Sequence, residues 1–370
     1  MYYYLAVVLF ILMLFEGFFN KVIVIQKTVF FITAILFIII QGFNTWSPDM
    51  ESYRIHFDDY DEDYVINSVE PLHIKIIEFV RWAGGDFKDF IFFYGLLIMS
   101  LFLFSIKKYS PLPVFLLLNF YFIPFFPDIV QIRVFLGFSV FLVALQYFNK
   151  NNIRFYVLYF ISLLCHFALL IFLPFFFLRK MTFFSNQKNN NIIIITGSLL
   201  LLLVPKSFSE PLIVFINPKY STFLEATSTY LGTIILFLPF FIINNIALYH
   251  FNTFYKNIKT EIDLKYRKNI PFFMQLIQYS NYLILPQYFI RDFSRITMNL
   301  HILTLIYFSY ILYIGWSKKY NERKVVFYKS LFLVGSVLMF YFNFLLLNNG
   351  EYMEIIEKNF ASNSILEKIF

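Results

Sequence analysis

Long apolar runs without a single charge constrain this chain more than any other feature. Residues 90–104 and 331–347, for example, contain no Asp, Glu, Lys or Arg. Such runs approach the roughly 20 residues that an α-helix needs to cross a hydrocarbon core of about 30 Å. They are apolar on every face, whereas a strand of a transmembrane barrel alternates between apolar and polar residues. The sequence therefore predicts an all-α polytopic integral membrane protein.

The composition excludes a soluble globular enzyme. Of 370 residues, 59% are hydrophobic and only 14% are charged, against roughly 25% charged residues in soluble domains. A packed interior could not shield 54 Phe and 27 Tyr from water beneath a polar surface. We interpret the net charge of +7 as a signal of membrane topology, not of nucleic-acid binding, because Lys and Arg accumulate in cytoplasmic loops.

The apolar runs predict about 10–12 transmembrane helices within a single transmembrane domain, 1–370. The candidate spans are residues 2–19, 28–43, 88–106, 111–126, 129–148, 153–178, 191–205, 228–250, 271–290, 296–316 and 325–347. Basic residues after the first, third and fifth spans place those turns in the cytoplasm and the N-terminus outside. The later basic loops fit the same rule if 153–178 is a re-entrant pair of half-helices that turns near Cys165 and His166. A single crossing of 153–178 is the alternative.

On this topology the polar stretch after the second span faces outward. Residues 44–71 carry eight acidic residues and one basic residue, and 71–82 then alternates apolar and charged positions at helical spacing. We expect an outward acidic loop and an amphipathic helix in the membrane interface over 44–87. The C-terminal tail, 348–370, is expected on the same outer side.

Ionisable residues within or beside apolar spans are costly, so each is a candidate for function. Arg133 lies in the first turn of its span, His166 lies at the re-entrant turn, and Arg291 and Arg295 precede another span. All are expected near the outer surface. Structural interpretations remain open: an Arg133 ion pair with Asp128, an Arg291 ion pair with Asp292, and a structural His166.

Arginines at this depth suit a lipid diphosphate, because guanidinium binds phosphate through bidentate, charge-assisted hydrogen bonds. We therefore predict that Arg133, Arg291 and Arg295 bind a substrate diphosphate. A nearby carboxylate or imidazole, from Asp49, Glu70 or His166, could take the proton of an attacking sugar hydroxyl. We expect neither a cofactor nor a bound metal.

The order of short motifs resembles the EpsG family of polysaccharide polymerases, relatives of the Wzy-type O-antigen and capsule polymerases. The motifs are Pro48-Asp49-Met50-Glu51-Ser52-Tyr53, Glu70-Pro71-Leu72, Gln131-Ile132-Arg133 and Cys165-His166-Phe167-Ala168-Leu169-Leu170-Ile171, followed by Leu173-Pro174. Arg133 matches an Arg at the start of a span of the family, and His166 matches a His in a short hydrophobic pair. Arg133 is followed by Val134, where the family pattern leads us to expect Gln.

The resemblance implies a multi-pass protein of the bacterial inner membrane that joins undecaprenyl-diphosphate-linked oligosaccharide repeat units on the outer side. Its partners would be the lipid-linked donor, the lipid-linked acceptor and the bilayer. A protein that regulates chain length is left open as a further partner.

Two classes of function compete with this interpretation. A GT-C type glycosyltransferase would also carry acidic residues in an early outward loop, but it would transfer one sugar from a lipid monophosphate. A lipid-linked oligosaccharide flippase or another transporter would place its charges at midplane depth, often with symmetry between halves. The candidate charges of this chain lie at one surface, and no internal repeat is visible.

Overall fold

The computed structural model describes residues 2–19, 22–122, 129–148, 151–180, 186–203, 230–258, 264–285, 293–317, 358, 361–363 and 365. The chain divides into two compact units. Unit 1 comprises Met1–Leu170 with Ser309–Phe370, and unit 2 comprises Ile171–Phe308. The assignment of the whole chain to one transmembrane domain stays a prediction.

Unit 1 is built from helices. They are α1 (Tyr2–Phe18), α2 (Ile23–Gly42), α3 (Met50–Asp58), α4 (Asp63–Ile66), α5 (Pro71–Trp82), α6 (Phe87–Tyr109), α7 (Pro113–Phe122), α8 (Ile132–Leu145) and α9 (Asn152–Cys165). A 3₁₀ helix, Phe167–Phe172, follows α9. Within the described ranges the only β-type pairing outside the helices is an isolated bridge between Asn44 and Asn363. The predicted all-α class is confirmed.

Unit 2 continues with further helices. They are α10 (Leu173–Leu178), α11 (Gln187–Leu202), α12 (Tyr230–Ile258), α13 (Leu264–Arg267) and α14 (Ile270–Tyr282), and α15 (Phe293–Ser317) begins in this unit. In the described part of the chain, three helical segments are long and apolar enough to cross a membrane: Ile23–Gly42, Phe87–Tyr109 and Ile296–Ile314. Each coincides with a predicted span. The predicted span 325–347 lies outside the described residues.

Two glycines allow α2 and α6 to pack closely. A Cβ atom on Gly95 would lie 2.7 Å from the Cα of Gly42, which is closer than nonbonded carbons approach. The contact fixes α6 against α2. Helices α5 and α6 also pack together. The contact between α2 and α6 therefore helps to position the loop between α5 and α6.

The long apolar stretch 153–178 is broken where the sequence predicts a turn. Helix α9 ends at Cys165, and His166 follows in an extended backbone conformation. The segment after it begins as a 3₁₀ helix, not as the α-helical half that we expected. Gly137 of α8 makes room for this break, since a Cβ atom there would lie 2.8 Å from Leu169 Cδ1 and 3.1 Å from the Ser162 carbonyl oxygen. The re-entrant path stays a prediction.

A segment near the C-terminus of the chain caps the end of α2. The Asn363 side-chain amide donates to the carbonyl oxygens of Ile39, at 3.0 Å, and Ile40, at 3.2 Å. Nearby, the Lys358 ammonium lies 4.4 Å from the centre of the Trp46 ring. Asn363 is buried, so this is a packed contact within unit 1.

Buried amides and hydroxyls connect three helices of unit 2. The Asn244 side chain on α12 donates to Ser280 Oγ and to Asn281 Oδ1, both at 2.9 Å, and accepts from Thr304 Oγ1 at 2.7 Å. We call these four residues the amide network. All four are buried. Such bonds join apolar helices without placing a charge in the core.

Candidate functional site

Glu70 lies where the acidic loop turns into α5. It is the last residue before the helix, its backbone is extended, and Pro71 opens the first turn. Proline suits that position because its fixed φ matches the helix and its missing N–H would be unpaired there anyway. The Glu70 carboxylate accepts no capping bond from α5 and points instead to residues from α8 and the end of α9.

Arg133, the second residue of α8, pairs with that carboxylate. The distance from Arg133 Nη1 to Glu70 Oε2 is 2.7 Å, and the exposed fractions of the two side chains are 23% and 10%. Both charged side chains are thus mostly shielded from water, but each keeps a solvent-exposed edge. Removing one partner of a buried ion pair typically costs about 3–5 kcal/mol, because the other charge stays buried alone.

His166 approaches the other oxygen of the same carboxylate. Its Nε2 lies 3.7 Å from Glu70 Oε1, and the backbone N–H of Phe167 donates to that oxygen at 3.4 Å. The His166 Nδ1 atom accepts from the Ala168 backbone N–H at 3.2 Å. This bond leaves the proton of a neutral His166 on Nε2, on the side of Glu70. The break after α9 therefore brings the imidazole and a backbone donor to one carboxylate.

Three of the residues predicted from the sequence thus come together, and we call Glu70, Arg133 and His166 the charged cluster. Asp49 is the residue before α3. Arg291 lies outside the described residues. Arg295 falls in the first turn of α15, and its side chain also lies outside what the structure describes.

A group of packed rings lies next to the charged cluster on the side of Arg133, and most of its members were not predicted as site residues. Tyr53 of α3 is within hydrogen-bonding reach of Arg133. The buried His73 of α5 contacts Tyr53, with ring centres 6.0 Å apart, and its Nδ1 lies 3.4 Å from the hydroxyl oxygen of Tyr94. His56, also on α3, meets His73 edge to face at 5.4 Å. We call Tyr53, His56, His73 and Tyr94 the ring layer.

Both histidines of the ring layer are held in the neutral state. Burial, followed by the charge of Arg133, lowers the pKa of His56 to about 4, with an opposing effect from Glu70. The same two causes lower the pKa of His73 well below its ordinary value, and His56 adds to the shift. Of His56, His73 and Arg133, only Arg133 therefore carries a positive charge.

The charged cluster offers anion-binding and proton-accepting groups. Within the part of the chain that the structure describes, no three His, Cys, Asp or Glu side chains come together as a metal site would require. The chemistry that these side chains provide is that of a guanidinium beside a carboxylate and an imidazole.

The profile of the EpsG family matches residues 26–357. The chain belongs to the EpsG family. The match includes all residues of the charged cluster and of the ring layer, and it confirms the resemblance drawn from the sequence motifs. No curated protein and no solved structure matches the chain.

Membership in the EpsG family, together with the apolar helices, assigns the chain a membrane-bound, polysaccharide-polymerase-like role. It also extends the resemblance beyond the first 180 residues, in which the motifs lie. In this EpsG-family chain, three of the motifs contribute a residue to the charged cluster. Within that cluster Glu70 contacts both Arg133 and His166, which are distant from it in sequence.

Proposed function

We propose that this EpsG-family protein joins lipid-diphosphate-linked oligosaccharide repeat units into a polysaccharide on the outer side of the bacterial inner membrane. The observation that carries the proposal is the contact of Glu70 with both Arg133 and His166. This contact places a cation that suits a diphosphate next to groups that can accept a proton. The carrier lipid expected from the family resemblance is undecaprenyl diphosphate.

In the proposed reaction, a terminal hydroxyl of the acceptor attacks the anomeric carbon of the donor chain. A new C–O bond forms, the bond from that carbon to the diphosphate oxygen breaks, and the electron pair stays on the departing diphosphate. Arg133, with Arg291 or Arg295, binds this leaving group and stabilises its developing charge. The additional arginines are needed because Glu70 already neutralises Arg133.

The hydroxyl proton has to be taken up near the attacking oxygen. Both oxygens of Glu70 accept hydrogen bonds, one from Arg133 and the other from the Phe167 backbone N–H just after α9. We assign proton acceptance to Glu70 and His166 acting as a coupled pair, in which Glu70 also orients the imidazole. Asp49 is the alternative base.

The test is a surface-glycan ladder from a deletion strain complemented with wild type, Arg133→Ala or His166→Ala at equal membrane levels. We expect wild type to restore the ladder and both variants to leave a single capped repeat unit. Arg54→Ala is the matched control, since Arg54 is exposed on α3 and lies over the Phe87 ring. A normal ladder with Arg133→Ala would contradict the site.

The same experiment separates polymerisation from transport. A transporter defect would remove every surface repeat and leave lipid-linked units trapped inside the cell. A polymerase defect keeps single units at the surface. The first pattern would overturn the proposed function even if Arg133 proved essential.

A further inference from the structure

His56 belongs to the site through its neighbours. It lies one turn after Tyr53 on α3, with ring centres 6.2 Å apart, and Tyr53 in turn reaches Arg133. Its other ring neighbour, His73, is fully buried. His56 itself is half-buried, so it is the histidine of the ring layer that can meet a ligand.

The two nitrogen atoms of His56 differ in their surroundings. Nδ1 is shielded from solvent and has no hydrogen-bond partner. Nε2 lies 3.4 Å from Ser52 Oγ, one turn earlier on the exposed side of α3, which is the outer limit of a hydrogen bond. A buried N–H without an acceptor is rarer than a buried lone pair without a donor. The geometry therefore favours the tautomer with the proton on Nε2.

This tautomer leaves a weakly engaged N–H donor on His56, within range of the charge of Arg133. The charges that act on His56 are those of Arg133 and Glu70. Because burial and Arg133 lower the pKa of His56, the imidazole stays neutral at cellular pH and keeps its single N–H. A neutral imidazole of this kind suits an oxygen acceptor and is poorly suited to taking up a proton.

We propose that the Nε2–H group of His56 donates a hydrogen bond to an oxygen of the diphosphate bound at Arg133. The inference rests on the proposed function, because it requires a diphosphate at this site. Binding exchanges the long contact with Ser52 for a bond to a charged oxygen. His56 is then a substrate-binding residue that donates a hydrogen bond to the diphosphate. Glu70 and His166 accept the proton of the attacking hydroxyl.

The experiment compares His56→Gln with His56→Ala. The Gln side-chain amide carries N–H donors near the position of Nε2 but cannot accept a proton at neutral pH. Binding of inorganic pyrophosphate to the purified protein in detergent is measured from the ligand-dependent rise in melting temperature. We expect His56→Ala to weaken pyrophosphate binding about tenfold or more, and His56→Gln to stay near wild type. Glu51→Gln, an exposed change on the same helix, is the control.

Each outcome either supports or contradicts the proposed role of His56. If His56→Gln binds as weakly as His56→Ala, donation from Nε2 is not the role of His56 and the proposal is wrong. Equal binding by His56→Ala and wild type would also overturn it. If wild type shows no pyrophosphate-dependent shift, the diphosphate contact is refuted. The glycan ladder then still tests, independently, whether the chain polymerises.

Discussion

The charged cluster of unit 1 and the amide network of unit 2 set polar groups among apolar helices in opposite ways. The charged cluster uses ionised side chains that keep an exposed edge: 23% of the Arg133 side chain is accessible. The amide network uses neutral groups, and Asn244 is only 3% exposed. Burying a charge is expensive unless it is paired, whereas a neutral amide needs only its hydrogen bonds. The two units thus use different chemistry, with paired ionised groups in unit 1 and neutral hydrogen-bonded groups in unit 2.

The largest effect is expected from Arg133→Ala. Losing one preorganised donor to a developing oxyanion typically lowers a rate 100- to 1,000-fold, so we expect polymer yield to fall by about 100-fold or more. Arg133→Lys should retain part of the activity, because it keeps the charge and loses the planar fork. The measurement is the glycan ladder per unit of membrane protein. Equal activity of the Ala and Lys variants would contradict a role for the charge.

A smaller loss, about 100-fold in yield, is expected from Glu70→Gln, at the lower end of typical general acid–base contributions. The change keeps the size of the side chain and removes the charge that holds Arg133 and His166. Glycan ladders of this variant and of Asp49→Asn are compared at matched expression. If Asp49→Asn proved more damaging than Glu70→Gln, Asp49 would replace the Glu70–His166 pair as the proton acceptor.

Substitutions in the amide network of unit 2 should lower the stability of the protein and leave its activity unchanged. Asn244→Ala removes three hydrogen bonds, and at roughly 0.6 kcal/mol for each bond between membrane helices the loss is about 2 kcal/mol. We expect a lower melting temperature in detergent and an unchanged ladder per folded molecule. Asn252→Ala, which removes one bond on the exposed side of the same helix, should have a smaller effect. A selective loss of activity in Asn244→Ala would break the contrast between the two units.

The smallest effect is a dependence of stability on pH. His56 has a pKa of about 4 in the folded chain and an ordinary value near 6.5 when unfolded. The unfolded chain then binds the extra proton, so the stabilisation is complete above about pH 6.5 and is lost as the pH falls toward 4. Melting temperatures between pH 7 and pH 4.5 should decline less steeply in His56→Gln than in wild type. Parallel profiles would show that His56 is not held neutral.

The sequence predicted the helices well, because uncharged runs can be satisfied only by helices that bond their own backbone groups in lipid. It also selected Arg133 and His166, since an ionisable residue within an apolar span is unusual, whereas Glu70 was selected through the motif Glu70-Pro71-Leu72 that resembles the family. Their mutual contacts could not be derived, because they join Glu70 to residues 63 and 96 positions later in the chain.

Other parts of the site carried a weaker signal. His56 lies in a loop rich in polar residues, where one more histidine does not stand out. His73 did carry a signal, since it shares the buried face of α5 with Ile74 and Ile77. Asn244 was missed because a search for ionisable residues passes over neutral amides within a span.

The cap that Asn363 places on α2 has a consequence for the order in which the protein is made. Ile39 and the residue that caps it are 324 positions apart. At about 5–20 residues per second, synthesis of that stretch takes roughly 16–65 s. During this interval α2 has already left the ribosome, but the carbonyl groups of Ile39 and Ile40 still lack the Asn363 amide. Maturation of this end of unit 1 is therefore a late, post-insertional event, which a pulse-chase protease-protection experiment would detect as delayed resistance near residues 39–46.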